Sequence, residues 1–431
     1  MSTPDGLRLT DGSGGEDTVP GGDEAFPLTD AQLRFAVIAE STGRRVCVPL
    51  LFRMPPGAVA TAVLQDVLDA MVTGNPALSC RVDLAHGTPV QRWHGGGCGF
   101  ETCEAPSAER ASRLVADAVE AFEESTEPDP MAARLIRVAD GDLLLLMFDH
   151  TVVDEQSLGL VKRQLSDPPP STFRTSDPSA RLRRYEAAVR DRVQAEAEAS
   201  RGGGPAFWRA RLEEAGEHLP RRSEAQLTVA AVHTPEPVEI PDDLRGSVYQ
   251  LVLAALHRAL RDLDGDGPTV VGYTWGQRNT EFADVVGCFM NTVLSVDTTG
   301  EWSTVGAGIR AFRRGWWREI DHAAVPFSTV VASGATLAGR PWGGHIDTVL
   351  IFEHAPADPG WTVAGVPAEE IEPEHAVPNA PVAAAVVARE GELRLRIAAS
   401  RETPDDRVEA LGRRWRHWLG EILSYSRIGD T

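Results

Sequence analysis

The chain has 431 residues, 42% of them apolar and 24% charged, an ordinary globular composition that is too long for one core and predicts two domains of roughly 200 residues. Its 63 Asp and Glu against 42 Lys and Arg leave a net charge of −21, which argues against a nucleic-acid partner. No window approaches the ~18 uninterrupted apolar residues of a membrane span, and no basic stretch followed by an apolar core opens the chain, so a cytoplasmic location is expected with no membrane partner.

Residues 1–25 are rich in Gly, Asp, Glu, Ser and Thr and have little to bury, so a disordered tail is expected there. Order should begin near Phe26, with Thr29-Asp30 capping a helix from Ala31 to about Glu40. The stripe Val63, Leu64, Val67, Leu68, Met71 and Val72 predicts a second helix over 58–72, ended by Asn75-Pro76. Strands are expected at 78–84 and 89–93, then an amphipathic helix at 108–124. A hairpin should pair 133–138 with 143–148 through Asp140-Gly141.

The Pro/Ser/Asp-rich stretch 167–179, the polar helix 180–200 that follows it, and Gly202-Gly203-Gly204-Pro205 mark the link between halves. Beyond it, helices are expected at 244–263, 305–321 and 407–424. Strands are expected at 269–275, 293–296, 348–354, 382–389 and 393–400. Each half therefore mixes a sheet with helices, an α+β plan. We divide the chain into the tail 1–25, an N-terminal lobe 26–178, and a linker helix with a C-terminal lobe over 179–431.

Five cysteines (Cys47, Cys80, Cys98, Cys103, Cys288) form no zinc pattern and read as reduced thiols, with no metal expected. The most informative segment is F-D-H-T-V-V-D-E, Phe148 to Glu155. It follows the apolar run 143–147, so His150 sits where a buried strand emerges into a loop. A neutral imidazole there suits proton transfer, because its ordinary pKa lies near working pH.

Several segments in order resemble the condensation domains of nonribosomal peptide synthetases, within the chloramphenicol-acetyltransferase-like superfamily. They are P-L-T-D-A-Q-L-R-F (27–35), N-P-A-L-S-C-R-V (75–82), D-H-T-V-V-D-E (149–155), G-Q-R-N-T (276–280), V-G-C-F-M-N-T (286–292) and H-A-A-V-P-F (322–327). The resemblance implies two similar lobes in a V arrangement with a central tunnel and His150 midway. It implies a stand-alone condensation enzyme, an acyltransferase of secondary-metabolite and antibiotic biosynthesis. The donor would be an acyl or aminoacyl thioester on the phosphopantetheine arm of an acyl or peptidyl carrier protein. A small-molecule amine, or less readily an alcohol, would accept it, and no bound cofactor is implied.

The resemblance makes His150 catalytic and Asp154 architectural, paired with Arg81. It leaves Asn291, Gln277 and Arg278 as candidate substrate-binding residues, with His322, Glu353 and His354 as weaker ones. The family signature H-H-x-x-x-D-G is broken twice, by Asp149 at its first histidine and Glu155 at its glycine. Both are candidates for touching substrate. Glycine there supplies conformational freedom and room, whereas a glutamate narrows the passage or receives a cation. Two rivals follow: a catalytically inactive module that docks carriers or recruits enzymes, and an acyltransferase using acyl-CoA. An acidic carrier also requires basic ground on an acidic protein, with candidates at Arg181, Arg183 and Arg184, at Arg201 and Arg209, at Arg313 and Arg314, and at Arg413, Arg414 and Arg416.

Overall fold

The computed structural model describes residues 25–427 apart from 86, 127–128, 167–176, 220–228, 245–246, 299, 301, 335, 338–339, 355–359, 372–379, 390 and 402. The expected tail thus lies outside the described residues except for Ala25. The N-terminal half runs β1 (Ala25–Phe26), α1 (Asp30–Thr42), β2 (Cys47–Met54), α2 (Thr61–Gly74), β3 (Cys80–Asp83), β4 (Val90–Trp93), β5 (Gly99–Glu104), α3 (Ala108–Glu124), β6 (Met131–Arg137), β7 (Asp142–Asp149) and α4 (Glu155–Ser166).

α1 begins with a capping box. The Thr29 hydroxyl accepts from Gln32 N, and the Gln32 side chain accepts from Thr29 N, an arrangement worth about 0.5–2 kcal/mol. The apolar run becomes β7, the central strand of a five-stranded sheet, flanked by β2 and β6. Leu143 through Phe148 are all buried, as a strand covered on both faces requires. The hairpin forms as expected, with Leu135 opposite Leu144. Gly141 at its turn has φ +144°, and a side chain there would meet the Met54 carbonyl at 2.9 Å.

β2 was not foreseen because Pro49 interrupts its pattern. Pro49 pairs in register with Met147 on the β7 side, while on the other side a strand from the distant segment Glu369–Ile371 covers only Leu51 to Arg53. Proline is tolerated beyond the part of a strand that needs donors on both sides. The strand expected at 78–84 shortens to Cys80–Asp83, because Pro76 starts a single 3₁₀ turn over Pro76–Ser79.

The C-terminal half runs α5 (Pro178–Arg201), α6 (Gly204–Ala215), β8 (Val229–His233), β9 (Val238–Glu239), α7 (Val248–Asp264), β10 (Thr269–Gly276), β11 (Met290–Asp297), α8 (Val305–Ile320), α9 (Phe327–Ser333), β12 (Thr348–His354), β13 (Glu369–Ile371), β14 (Val382–Arg389), β15 (Glu392–Ser400) and α10 (Asp405–Arg427). Its sheet has the order β11-β10-β12-β14-β15-β8, with β9 also on β15. β13 leaves this half to edge the first sheet. α5 likewise packs Leu182, Tyr185, Ala188 and Val189 into the core that holds Phe26 and Phe148. Among the described residues, no helix is long and apolar enough to cross a membrane.

A polar network lies inside the second core. His257 of α7 is fully buried, its Nδ1 2.7 Å from Thr269 Oγ1 and its Nε2 3.0 Å from Ser295 Oγ. Burial pushes its pKa down to about 4, with Asp297 opposing and Arg261 assisting. Above the ordinary value of ~6.5 both folded and unfolded states are neutral and this contribution is complete. As pH falls toward 4 the unfolded state gains the proton first, so stability is lost, on the order of 3 kcal/mol in all. Urea denaturation between pH 7 and 4.5 should therefore show a shallower loss for His257→Gln than for the wild type; an equal loss would remove His257 from the acid response.

Candidate active site

His150 follows β7 directly, and the ladder extends one step beyond the strand: its N–H donates to Val46 O at 2.9 Å. The ring lies flat on Phe35 of α1, centroids 3.9 Å apart and planes 13° apart. His150 Nδ1 lies 3.1 Å from Val153 O. A carbonyl only accepts, so Nδ1 carries the proton and Nε2 presents a lone pair. Nε2 has no hydrogen-bond partner among the described residues. Burial lowers the ring's pKa, with the Val153 bond, Asp154 and Asp149 opposing, so the ring is neutral at physiological pH. A stacked, tautomer-fixed, neutral imidazole with one open nitrogen is equipped to accept a proton.

The loop itself is fixed from three directions. Asp149 Oδ1 accepts from Thr151 N at 2.9 Å and from Thr151 Oγ1 at 2.7 Å. Gln32 Nε2 reaches from α1 to Thr151 O at 2.9 Å, and Tyr185 of α5 closes that network through Gln32 and Gln91. Asp154 caps α4 through Ser157 N at 2.9 Å, which fits a carboxylate at a helix start.

The expected Asp154–Arg81 pair does not form. Arg81 Nη2 instead bonds Asp129 at 2.7 Å, toward the surface, because its strand belongs to the small sheet β1-β4-β3 rather than to the wall of the loop. The partner of Asp154 is Arg278, at 2.7 Å, with both side chains 4% exposed or less. Arg278 Nη2 also donates to Ser157 Oγ and Gly287 O, and Asp154 Oδ2 accepts from Phe289 N. This places Arg278, expected near substrate, in the clasp that joins the two halves.

Asn291 is spent in the same way. Its Nδ2 donates to Ala323 O and Val325 O at 2.9 and 2.7 Å, and its Oδ1 accepts from Phe327 N at 3.1 Å. It thus holds the H-A-A-V-P-F segment. Gln277 Nε2 bonds the same Ala323 carbonyl, while its Oε1 is buried without a protein partner. His322 packs against Phe207, centroids 4.2 Å apart, and its carbonyl accepts from Trp208 Nε1. The side chain of His354 lies outside the described residues.

Glu155 opens α4 and is exposed. Enough protein nevertheless surrounds its carboxyl to raise its pKa to about 7 by desolvation, reinforced by the charge of Glu353 and opposed by Lys162. Lys162 is itself bonded to Glu370 of β13 at 2.6 Å. Half of the expected basic ground is paired: Arg183, Arg184, Arg413, Arg414 and Arg416 meet Asp177, Asp284, Glu409, Asp262 and Glu236. All five cysteines are free, and burial pushes the Cys98 thiol up to about 12. No group of three or more metal-ligating side chains is found among the described residues.

Gln32, Phe35, Tyr185 and Ser157 were not singled out from the sequence. Gln32 and Phe35 lie inside the quoted P-L-T-D-A-Q-L-R-F segment, which was the available signal; Tyr185 and Ser157 had none.

The sequence profile described as Condensation domain matches residues 23–423. Cyclosporin synthetase of Tolypocladium inflatum is 24% identical over 233 residues, 49% of this chain, and the match spans 2% of that much longer protein. Among solved structures, the complex of the X-domain and OxyB from teicoplanin biosynthesis aligns with TM-score 0.72 at 15% identity over 96% of this chain and 97% of the other. The first condensation domain of the calcium-dependent antibiotic synthetase, in complex with a substrate analogue, aligns with TM-score 0.70 at 14% identity over 93% and 97%.

Removing Arg278 leaves Asp154 buried and uncompensated. Arg278→Ala should therefore cost about 3–5 kcal/mol in denaturant titrations, whereas Arg81→Ala, on an exposed pair, should cost at most about 1 kcal/mol. The reverse order would restore Arg81 as the partner.

Proposed function

Because the chain belongs to the condensation-domain family, we propose that it is an acyltransferase joining a carrier-tethered acyl or aminoacyl thioester to an amine. The observation that carries this reading is the neutral His150 ring, whose Nδ1–H is committed to Val153 O and whose Nε2 has no partner among the described residues.

In the proposed reaction the amine nitrogen attacks the thioester carbonyl while Nε2 accepts its proton. The C–N bond forms, the C–S bond breaks, and the proton passes from His150 to the departing thiolate of the pantetheine arm. Phe35 and the Gln32–Thr151 contact hold the ring in place, so that positioning contributes alongside proton transfer. Asp154 and Arg278 act on this step only through the backbone they fix.

One observation favours a second reading. Glu155 occupies the place of the family's glycine, at the exposed start of α4, and adds bulk and a carboxyl where the family has none. A non-catalytic module that recruits another enzyme would tolerate this; the X-domain, whose structure is in complex with OxyB, offers a parallel for such a role. Single-turnover assays with acyl-loaded carriers separate the two, since the second reading yields no product.

His150→Ala should lower the rate by about 10²- to 10⁴-fold without weakening carrier binding; a fully active variant would exclude His150 as the base. The pH profile supplies an independent check. Since burial lowers the pKa of His150, the loss of kcat/KM with falling pH should have its midpoint below the ordinary imidazole value of about 6.5. A decline centred above pH 7 would contradict a desolvated neutral base.

A further inference from the structure

α8 buries one side and shows the other. Ile309, Phe312 and Trp316 sink into the second core, while Arg310, Arg314, Trp317 and Arg318 are exposed and Arg313 is half-buried beside them. At about 3.6 residues per turn these five positions share one face, spread over about 140° of the helix. The helix carries four arginines against a single carboxylate, Glu319, which is buried and already bonded to Arg211 at 2.9 Å. The exposed Asp321 stands just past its last residue. On a chain whose net charge is −21, this face is local ground of the opposite sign.

A merely solvated helix face has no use for a large apolar side chain. Trp317 is nevertheless 55% exposed, the most of any large apolar side chain among the described residues, while its neighbour Trp316, 4.9 Å away between ring centres, is packed inside. The arginines around it are held from below. Arg310 Nη1 donates to Tyr425 Oη at 3.1 Å, and the Arg318 guanidinium lies 5.8 Å from the centre of the Phe207 ring. An exposed indole among arginines is the composition of an interface anchor, the ring to be covered and the guanidinium forks to meet carboxylates. Charge selects the partner: an acidic protein is repelled by the chain as a whole and attracted here, so the face also fixes where it docks. The chain beyond α8 runs to the seam between the halves, where Asn291 holds Ala323 and Val325 and Ser328 N donates to Asp30 of α1.

We propose that the exposed face of α8 is the docking surface for the acidic carrier protein, with Trp317 as its apolar anchor and Arg310, Arg314 and Arg318 facing carboxylates of the carrier. This deepens the proposed condensation reaction and rests on it. The flexible pantetheine arm lets the docking face stand apart from His150.

The test is equilibrium binding by calorimetry, with the acyl-loaded carrier of the single-turnover assay as the probe. The wild type should bind it more weakly as salt rises, by at least roughly 10-fold between about 50 and 500 mM. Arg314→Glu combined with Arg318→Glu should weaken binding at least roughly 10-fold, and Trp317→Ala at least about 5-fold. Arg113→Glu combined with Arg183→Glu changes the net charge equally, on exposed positions of α3 and α5, and should act less than about 2-fold. The salt series needs no variant, so a misfolded variant does not obscure it. No carrier binding, salt-independent binding, equal weakening by both charge-reversal pairs, or indifference to Trp317→Ala would each overturn the proposal. So would self-association of the wild type that Trp317→Ala abolishes, since a second copy would then be the occupant. If the wild type still transfers the acyl group from a free pantetheine thioester in those cases, the condensation reading stands while the docking face falls.

Discussion

The buried pair Asp154–Arg278 is the constraint on which the arrangement around His150 depends. Two charges taken from water are a net cost unless their remaining lone pairs and protons are satisfied. Here they are: Asp154 accepts from Ser157 N and Phe289 N as well as from Arg278, and Arg278 donates further to Ser157 Oγ and Gly287 O. The pair therefore works less as glue than as a geometric specification. It sets where α4 begins, where the 278–289 segment lies against it, and hence where the loop between β7 and α4 can run. Thr29 adds a second tie, its hydroxyl donating to Cys288 O at 3.0 Å while capping α1. The helix that carries Phe35 and the loop that carries His150 are thus referenced to the same stretch of the opposite half.

Much of the fold was legible because its elements are regular. The helix at 108–124 and the strands at 348–354 and 382–389 have the bounds that periodicity gives. Elements escaped where a local rule was broken for a non-local reason. β2 carries Pro49 because its partner on one side is only three residues long. α6 opens with Pro205 directly after a run of glycines that reads as punctuation, yet proline is welcome in a helix's first turn. β13 is three residues long, and its existence depends on a sheet edge more than 300 positions earlier in the chain, which no window of sequence displays.

The site was legible to a different degree. His150 could be chosen because chain order places it at a strand exit, and the structure gives it a defined tautomer. The identity of its supporting arginine could not be chosen that way. Arg81 and Arg278 both lie in segments that match the family's patterns, and only the packing of one half on the other brings Arg278 to Asp154. Asn291 and Gln277 illustrate a related limit. Amides near a cleft look alike in sequence, yet Asn291 spends both donors and its acceptor on the 323–327 segment, while Gln277 keeps a buried oxygen unmatched.

The crossing of β13 onto the first sheet has an architectural consequence. The halves are not beads joined by one linker: the backbone leaves the first half, builds most of the second, and then returns to protect the edge beside β2. Severing the chain after α4 would expose that edge along Leu51, Phe52 and Arg53, and unshielded edges recruit other strands. Interlacing of this kind makes the protection of the first sheet's edge depend on a strand that the second half supplies.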